Sequence, residues 1–407
     1  MKMINGGVCA AQGFKATGLH VGVKTHAAWK KDVALIVSDV DCAAAAVFTK
    51  NVVKAAPIHV DQAHLKNGKA RAIIANSGNA NACAPHGEEN AEAECAAVAA
   101  ALGIAADDVL VSSTGVIGQT LPVKVITDAT AELVQGLAHS DEASDAAAHA
   151  IMTTDTVKKE AAVETTVGGK TVRMGGIAKG SGMIHPNMGT MLCFLTTDCA
   201  ISPEMIKAAL LDTVGVSFNR ISVDGDTSTN DTCCVLANGL AGNETITEKN
   251  AAYGEFLEAL QTLAIQLAKE MAGDGEGAKH LMTCTVTGAA DEKTAETVCK
   301  SVISSTLTKA AIFGADANWG RVLCAMGYSG AEFDPEKVDV FFASAAGSIE
   351  VCHQGRGLDF DEDTAKKILT EHDIEINIHM GEGAASCTCW GCDITYDYIK
   401  INGDYRT

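Results

Sequence analysis

Short apolar segments of strand length alternate with alanine-rich segments of helix length from one end of the chain to the other, and this alternation leaves few architectures open. Residues 33–39 and 70–75 have the length and apolar character of buried strands, and Asn76-Ser77-Gly78-Asn79 follows the second with turn chemistry. Residues 88–102, rich in alanine and glutamate, read as a helix that Gly103 stops. Residues 108–113 form the next strand and deliver Thr114-Gly115 to a loop. Residues 163–166 and 171–174 flank Gly168-Gly169-Lys170, a hairpin with a glycine turn. Further on, residues 256–271 place Phe256, Leu260, Leu263, Ala264 and Leu267 on one helical face, and Ile374-Glu375-Ile376-Asn377-Ile378 alternates as a half-buried strand. Helices and strands intermix, with no repeat of fixed period and no low-complexity tract, so the expected fold class is α/β, a layered mixed α/β architecture.

Composition narrows what such a fold can do. The 407 residues, 47% hydrophobic and 20% charged, suit a soluble globular protein with ample core. A formal net charge of −20 and the lack of any Lys/Arg cluster argue against nucleic acid and anionic membranes as partners. The N-terminus, MKMINGGVCAAQGFKATG, has no basic region followed by an apolar stretch, and no segment approaches the ~18 apolar residues of a membrane span, so a cytoplasmic location is expected. Fifteen cysteines in a long chain without a signal peptide read as reduced thiols. Cys387-x-Cys389-x-x-Cys392 has ligand-like spacing, yet three sulfurs make an incomplete set and no Cys or His pair nearby closes it. These cysteines, and the Cys233-Cys234 pair, are read as small buried residues, and no metal is assigned. Asp224 and Asp226 are also spaced like ligands, but their block continues into Ser, Thr and Asn residues that suit a hydrogen-bonded turn.

The most unusual segment lies near the middle. A glycine-rich run, Gly175-Gly176-Ile177-Ala178-Lys179-Gly180-Ser181-Gly182, gives way to Pro186-Asn187-Met188-Gly189 and then to the apolar run 190–195. A flexible loop thus feeds a strand whose first residue is Thr190. A glycine before a hydroxyl residue is usually just a turn, so this feature alone carries little. A threonine at a chain terminus, however, has its own α-amine as a base, with a reference pKa of about 7.7–8.0. Attack of the Thr190 hydroxyl on the Gly189 carbonyl would create such a terminus, and glycine leaves that carbonyl uncrowded.

From residue 179 the chain reads Lys179-Gly180-Ser181-Gly182-Met183-Ile184-His185-Pro186-Asn187-Met188-Gly189-Thr190-Met191-Leu192, which resembles the cleavage-site motif of the ornithine acetyltransferase (glutamate N-acetyltransferase) family. Blocks beginning at Ser112, Thr153, Ser222, Gly273 and Asp316, and the tail from Tyr396 to Thr407, resemble family blocks in family order, so the resemblance covers essentially the whole chain. One departure is local: the family commonly has alanine before the nucleophile, where this chain has Gly189.

The resemblance implies self-cleavage between Gly189 and Thr190, giving an N-terminal chain 1–189 and a C-terminal chain 190–407 that assemble as a heterotetramer of two copies of each. It implies that Thr190 takes acetyl from N-acetylornithine and passes it to glutamate, with the Thr114 hydroxyl and the Gly115 N–H stabilising the oxyanion. By the same resemblance Thr153, Lys179, Thr190, Glu276, Asn402 and Thr407 contact substrate. Lys179 suits a substrate carboxylate, and Glu276 suits the ornithine ammonium or a proton transfer. His185 is not assigned as a base, because the α-amine already supplies that function. No cofactor is implied; acetyl-CoA is a candidate co-substrate, and no nucleotide-binding motif decides whether it is used. Two rival readings are a self-processed N-terminal-threonine aminopeptidase or amidase, in which water accepts the acyl group, and a non-catalytic small-molecule-binding protein that never cleaves.

Overall fold

The computed structural model describes residues 1–25, 29–185 and 191–403, and within them the apolar segments become strands of two sheets. In chain order the first half supplies β1 (Lys2–Ile4), β2 (Phe14–Leu19), β3 (Val33–Phe48), β4 (Lys69–Asn79), β5 (Val109–Val116), β6 (Lys159–Val167) and β7 (Lys170–Lys179). The second half adds β8 (Leu192–Thr197), β9 (Ile221–Ser222), β10 (Thr232–Ala237), β11 (Leu281–Ala289), β12 (Asp339–Ser344), β13 (Gly347–His353), β14 (Arg356–Gly357), β15 (Asp373–His379) and β16 (Ala385–Cys392).

The larger, nine-stranded sheet runs β1-β6-β7-β8-β10-β3-β4-β5, with β2 beside β3. The long strand β3 divides it in two. Its first part pairs with β4 as far as Val37, the register breaks, and pairing resumes at Cys42, after which its last part pairs with β10. An irregularity of this kind bends a strand, and the two parts of the sheet face each other across a shared core. Ile36, Ile73 and Leu110 from one part meet Phe194, Cys234 and Leu236 from the other. Alternate residues point outward: Leu35, Ile74 and Val111 pack against helix Gly87–Leu102, while Cys193, Leu195 and Val235 pack against helices Pro203–Val216 and Ala251–Gly273. The result is a helix, sheet, sheet, helix sandwich, the layered α/β class expected from the sequence.

The seven-stranded sheet runs β14-β13-β12-β15-β11-β16-β9 and carries helices Glu292–Ser304, Trp319–Gly327 and Glu362–Leu369 on its buried face. Its β15 buries Ile374, Ile376 and Ile378 and exposes Glu375, as the alternation requires. Helix Ala251–Gly273 touches β11 and β16 as well as β6 and β7, so it joins the two sheets. No helix among the described residues is long and apolar enough to cross a membrane.

Three local expectations fail, all around glycine. Asn76-Ser77-Gly78-Asn79 is not a turn but the end of β4, and Thr114-Gly115 is not in a loop but stays in β5, because the two strands pair Ser77 with Thr114 and Gly78 with Gly115. Residues 175–179 are not a flexible loop; they pair with β8 from Lys179↔Leu192 to Gly175↔Thr196. Glycine inside a strand marks a bulge or a close backbone approach as well as a turn. The described strand β8 begins at Leu192, and residues 186–190 lie outside the described residues.

Candidate active site

Each part of the larger sheet delivers residues to one cleft of about 120 Å3. From β5 come Thr114 and Gly115, from the end of β7 Lys179, and from the start of β8 Met191 and Leu192. The approach to β10 adds residues 228–231; Thr153 and Thr154 follow helix Asp141–Ile151; Glu276 follows helix Ala251–Gly273; Asn402 comes from the last described helix, Tyr396–Gly403. Thr114, Gly115, Thr153, Lys179, Glu276 and Asn402, singled out in the sequence, therefore converge. Thr153 and its neighbour Thr154 both line the cleft. Gly189, Thr190 and Thr407 lie outside the described residues.

Two glycines shape this cleft. Gly115 has φ +132, and a Cβ there would come within 2.4 Å of the Gly78 carbonyl carbon, so only glycine lets β5 approach β4 at this point. A Cβ on Gly182 would lie 2.4 Å from the Glu276 carboxyl carbon; the bare backbone leaves room for that carboxylate. Asn402 Nδ2 then donates to Glu276 Oε2 at 2.6 Å, fixing its orientation.

A buried ionic network holds these segments in place. The Lys159 ammonium bridges the Asp155 and Asp274 carboxylates. Asp155 accepts from the backbone N–H groups of Thr153 at 2.9 Å and Gly180 at 2.8 Å, and Asp274 accepts from the N–H and hydroxyl of Thr156. The Ser181 hydroxyl donates to the Asp274 carbonyl at 2.7 Å, and the Glu276 N–H donates to the Ser181 carbonyl at 2.8 Å. The cluster thus ties together the 153–156, 179–182 and 274–276 segments. Burial would raise the Asp155 carboxyl, but the Lys179 and Lys159 ammonium groups overcome it and hold the carboxyl well below the usual range. Lys179, whose Nζ is 4.0 Å from Asp155, is buried and pushed below the usual lysine range by desolvation, opposed by Asp155. A cation left underpaired in this way suits an incoming carboxylate.

Asn230 closes the other side, its Nδ2 donating to the Ala80 carbonyl at 2.6 Å and the Ser113 carbonyl at 2.7 Å. Next to it Asp231 is almost fully buried, and burial drives its carboxyl well above the usual range against the Ser228 and Thr49 hydroxyls and the Lys179 charge. Asp231 Oδ2 has no hydrogen-bond partner among the described residues. Asp224 behaves as the turn residue expected, accepting from the N–H groups of Met183 at 2.6 Å and Ile184 at 2.9 Å. His185 bonds through Nδ1 to the Ser222 hydroxyl at 3.0 Å, and burial lowers its pKa; it is not among the residues that line the cleft.

Sequence reasoning gave no role to Lys159, Asp155, Asp274, Asn230 or Asp231. All but Lys159 stood inside the quoted blocks, as charged or amide residues beside glycine and threonine. Lys159 left a fainter signal, a lysine at the head of a strand whose next residues are core.

Covalent acyl transfer needs a nucleophile at a fixed point where hydroxyl and peptide donors meet an oxyanion and a buried charge orients the substrate. The start of central strand β8 lines the cleft together with Thr114, Gly115 and the buried Lys179, a layered α/β setting that suits acyl transfer. Residues 15–407 match the ArgJ family, and the chain belongs to it. The arginine biosynthesis bifunctional protein ArgJ of Symbiobacterium thermophilum is 48% identical over all of this chain and all of its own length. The protein of the same name from Caldanaerobacter subterraneus subsp. tengcongensis is also 48% identical over the full length of both. A solved structure of ornithine acetyltransferase complexed with ornithine from Mycobacterium tuberculosis is 42% identical and covers 46% of this chain and 98% of its own, with a TM-score of 0.43. The chain is an acetyltransferase enzyme of arginine biosynthesis.

Proposed function

We propose that the chain cuts itself between Gly189 and Thr190, and that Thr190 then carries acetyl from N-acetylornithine to glutamate, giving ornithine and N-acetylglutamate. The observation that supports this most is the convergence of Thr114, Gly115, Lys179, Glu276 and Asn402 on a cleft that Met191, the residue after Thr190, also lines. After cleavage the Thr190 α-amine takes the hydroxyl proton as the oxygen attacks the acetyl carbonyl. The Thr114 hydroxyl and the Gly115 N–H stabilise the oxyanion, and the ornithine amine leaves with the proton. The glutamate amine then attacks the acetyl ester by the same steps in reverse. Lys179 pairs with the substrate α-carboxylate, Glu276 meets the ornithine ammonium, and Thr153, Asn402 and the tail residue Thr407 complete the contacts. Apolar Ile117, Ile184 and Met191 in the lining help keep water from the ester.

On this reading the chains 1–189 and 190–407 assemble as a heterotetramer, in the cytoplasm, without a resident cofactor, and acetyl-CoA serves as a second acetyl donor to glutamate. The half-reaction decides between transferase and hydrolase. Enzyme given N-acetylornithine alone is expected to release about one equivalent of ornithine per site and stop, with acetyl on the peptide that begins Thr190-Met191-Leu192, until glutamate restarts turnover. Continued ornithine release with acetate in step would make water the acceptor and the enzyme an amidase.

A further inference from the structure

Away from the cleft, the seven-stranded sheet gathers thiols. Cys299 from helix Glu292–Ser304 and Cys387 and Cys389 from β16 bring sulfurs that all lie within 4.8 Å of one another, and Cys387 and Cys389 Sγ are 4.0 Å apart. Alternate residues of a strand share a face, so Cys387 and Cys389 enter the same core. Cys284 stands opposite Cys389 in the β11/β16 pairing and lies beside the Cys299 thiol, its sulfur outside the 4.8 Å group of the other three and needing a side-chain rotation to join them. All four are buried and free of disulfides. The sulfur that local spacing had grouped with the pair, Cys392, sits instead 3.7 Å from the Lys309 ammonium. The third member of the cluster is 88 residues away in sequence from Cys387, and only the fold reveals it.

We propose that Cys299, Cys387 and Cys389, with Cys284 as the fourth ligand, form a binding site for a thiophilic divalent cation of the Zn2+ type. Tetrahedral thiolate sites have metal–sulfur distances of about 2.3 Å, which sets neighbouring sulfurs ~3.8 Å apart, close to the Cys387–Cys389 separation. An all-sulfur set selects soft cations and disfavours Mg2+ and Ca2+. Binding converts four thiols to thiolates and releases four protons, leaving a net charge of −2 on the site. The Arg220 guanidinium, which faces Cys387 and Cys389 and is anchored to Glu292 at 2.6 Å, offsets part of that charge. The Cys299 thiol is directed at the carbonyls of Cys387 at 3.2 Å and Cys284 at 3.5 Å. Thiols used only as apolar filler have no need to crowd their sulfurs together. The cation would clamp helix Glu292–Ser304 to the centre of its sheet.

The exposed thiols Cys83 and Cys324 can capture metal adventitiously, so the test uses the full chain carrying Cys83→Ser and Cys324→Ser, purified under reducing, oxygen-free conditions. Expected are about one zinc per chain by mass spectrometry of the metals and, after chelation, a fall in Tm that added Zn2+ reverses. Co2+ added to the chelated protein should give the intense near-ultraviolet thiolate charge-transfer band and the visible bands of a tetrahedral site. Cys299→Ser with Cys387→Ser should remove both bands. Absence of stoichiometric zinc together with no Co2+ bands in the protein with its four buried thiols intact overturns the proposal. So does retention of those bands in the Cys299→Ser, Cys387→Ser variant, which would place the metal elsewhere. The Co2+ titration of the protein with intact thiols reads out independently of whether the serine variants fold.

Discussion

The two sheets bury different things. Around the cleft the larger sheet encloses Asp155, Lys159, Lys179, Asp231, Asp274 and Glu276, whereas from β11 to β16 the buried charged side chain among the described residues is Lys309, set against the Cys392 carbonyl. The rest of that second core is Val, Ile, Ala, Met, Leu369, Phe342 and the thiols. Burying charge is unfavourable unless it is paired and hydrogen-bonded, and around the cleft the ionic network supplies those partners; the layers of the larger sheet also bury Asp32, Asp61, Glu94 and Asp198, which do not line the cleft. The seven-stranded sheet then serves as an apolar buttress, reaching the cleft through the segment that leads from Asp393 to Asn402. Thr395 joins this segment to the Gly277 carbonyl at 2.7 Å, next to Glu276.

The largest effect should come from the centre of the ionic network. Lys159→Met leaves the Asp155 and Asp274 carboxylates buried without their cation, which costs about 3–5 kcal/mol by the usual penalty for breaking a buried pair. Denaturant unfolding should show that loss, and acetyl transfer should collapse with it because three cleft segments lose their common anchor. Unchanged stability and turnover would erase the contrast between the two sheets. A smaller loss, purely in rate, is expected from Thr114→Ala: kcat lower on the order of 10²-fold with an unchanged unfolding midpoint, as for one oxyanion donor. A drop in stability with kcat intact would make Thr114 a packing residue of β5.

The smallest effect separates functional burial of charge from burial alone. Glu94, in helix Gly87–Leu102 on the outer layer of the same sandwich, is buried with both carboxyl oxygens unpartnered among the described residues, and desolvation pushes it up to about 8. The folded protein therefore keeps a proton on Glu94 that the unfolded chain releases above its ordinary value, so this group's contribution to stability is full below that value and is lost as pH rises toward about 8. Glu94→Gln should remove this group's share of the slope, leaving the shares of Asp61 and Asp231, whose carboxyls burial also raises, and leave turnover unchanged. Unfolding measured at acidic and mildly alkaline pH, alongside kcat, checks both halves; a slope identical in wild type and variant would show that Glu94 does not titrate between the folded and unfolded states.

Much of this was legible in the sequence, for identifiable reasons. The helix ending at Gly103, the hairpin across Gly168-Gly169 and the alternation of β15 all follow from local rules, and all three are present. Thr114, Gly115, Lys179, Glu276 and Asn402 were marked by family-like blocks, and one cleft receives them. Glycine misled wherever it served close approach and not a turn: Gly78 and Gly115 stay in paired strands, and so do Gly175 and Gly176. Lys159 and the thiol cluster were only partly legible: Asp155 is four positions from Lys159 and Cys389 two from Cys387, but their other partners are distant in sequence. Lys159 meets Asp274 across 115 positions, and Cys299 meets Cys387 across 88. No local pattern carries such a pairing.

The central claim is that Thr190 becomes a chain terminus, and the mass of the purified protein tests it most directly. Intact-mass analysis should give two species in place of the 42.0 kDa chain, with terminal sequencing of the heavier one reading Thr190-Met191-Leu192. The Thr190→Ala variant should remain a single chain without acetyl transfer. A wild-type protein that stays at 42.0 kDa through prolonged incubation and still transfers acetyl would contradict the account.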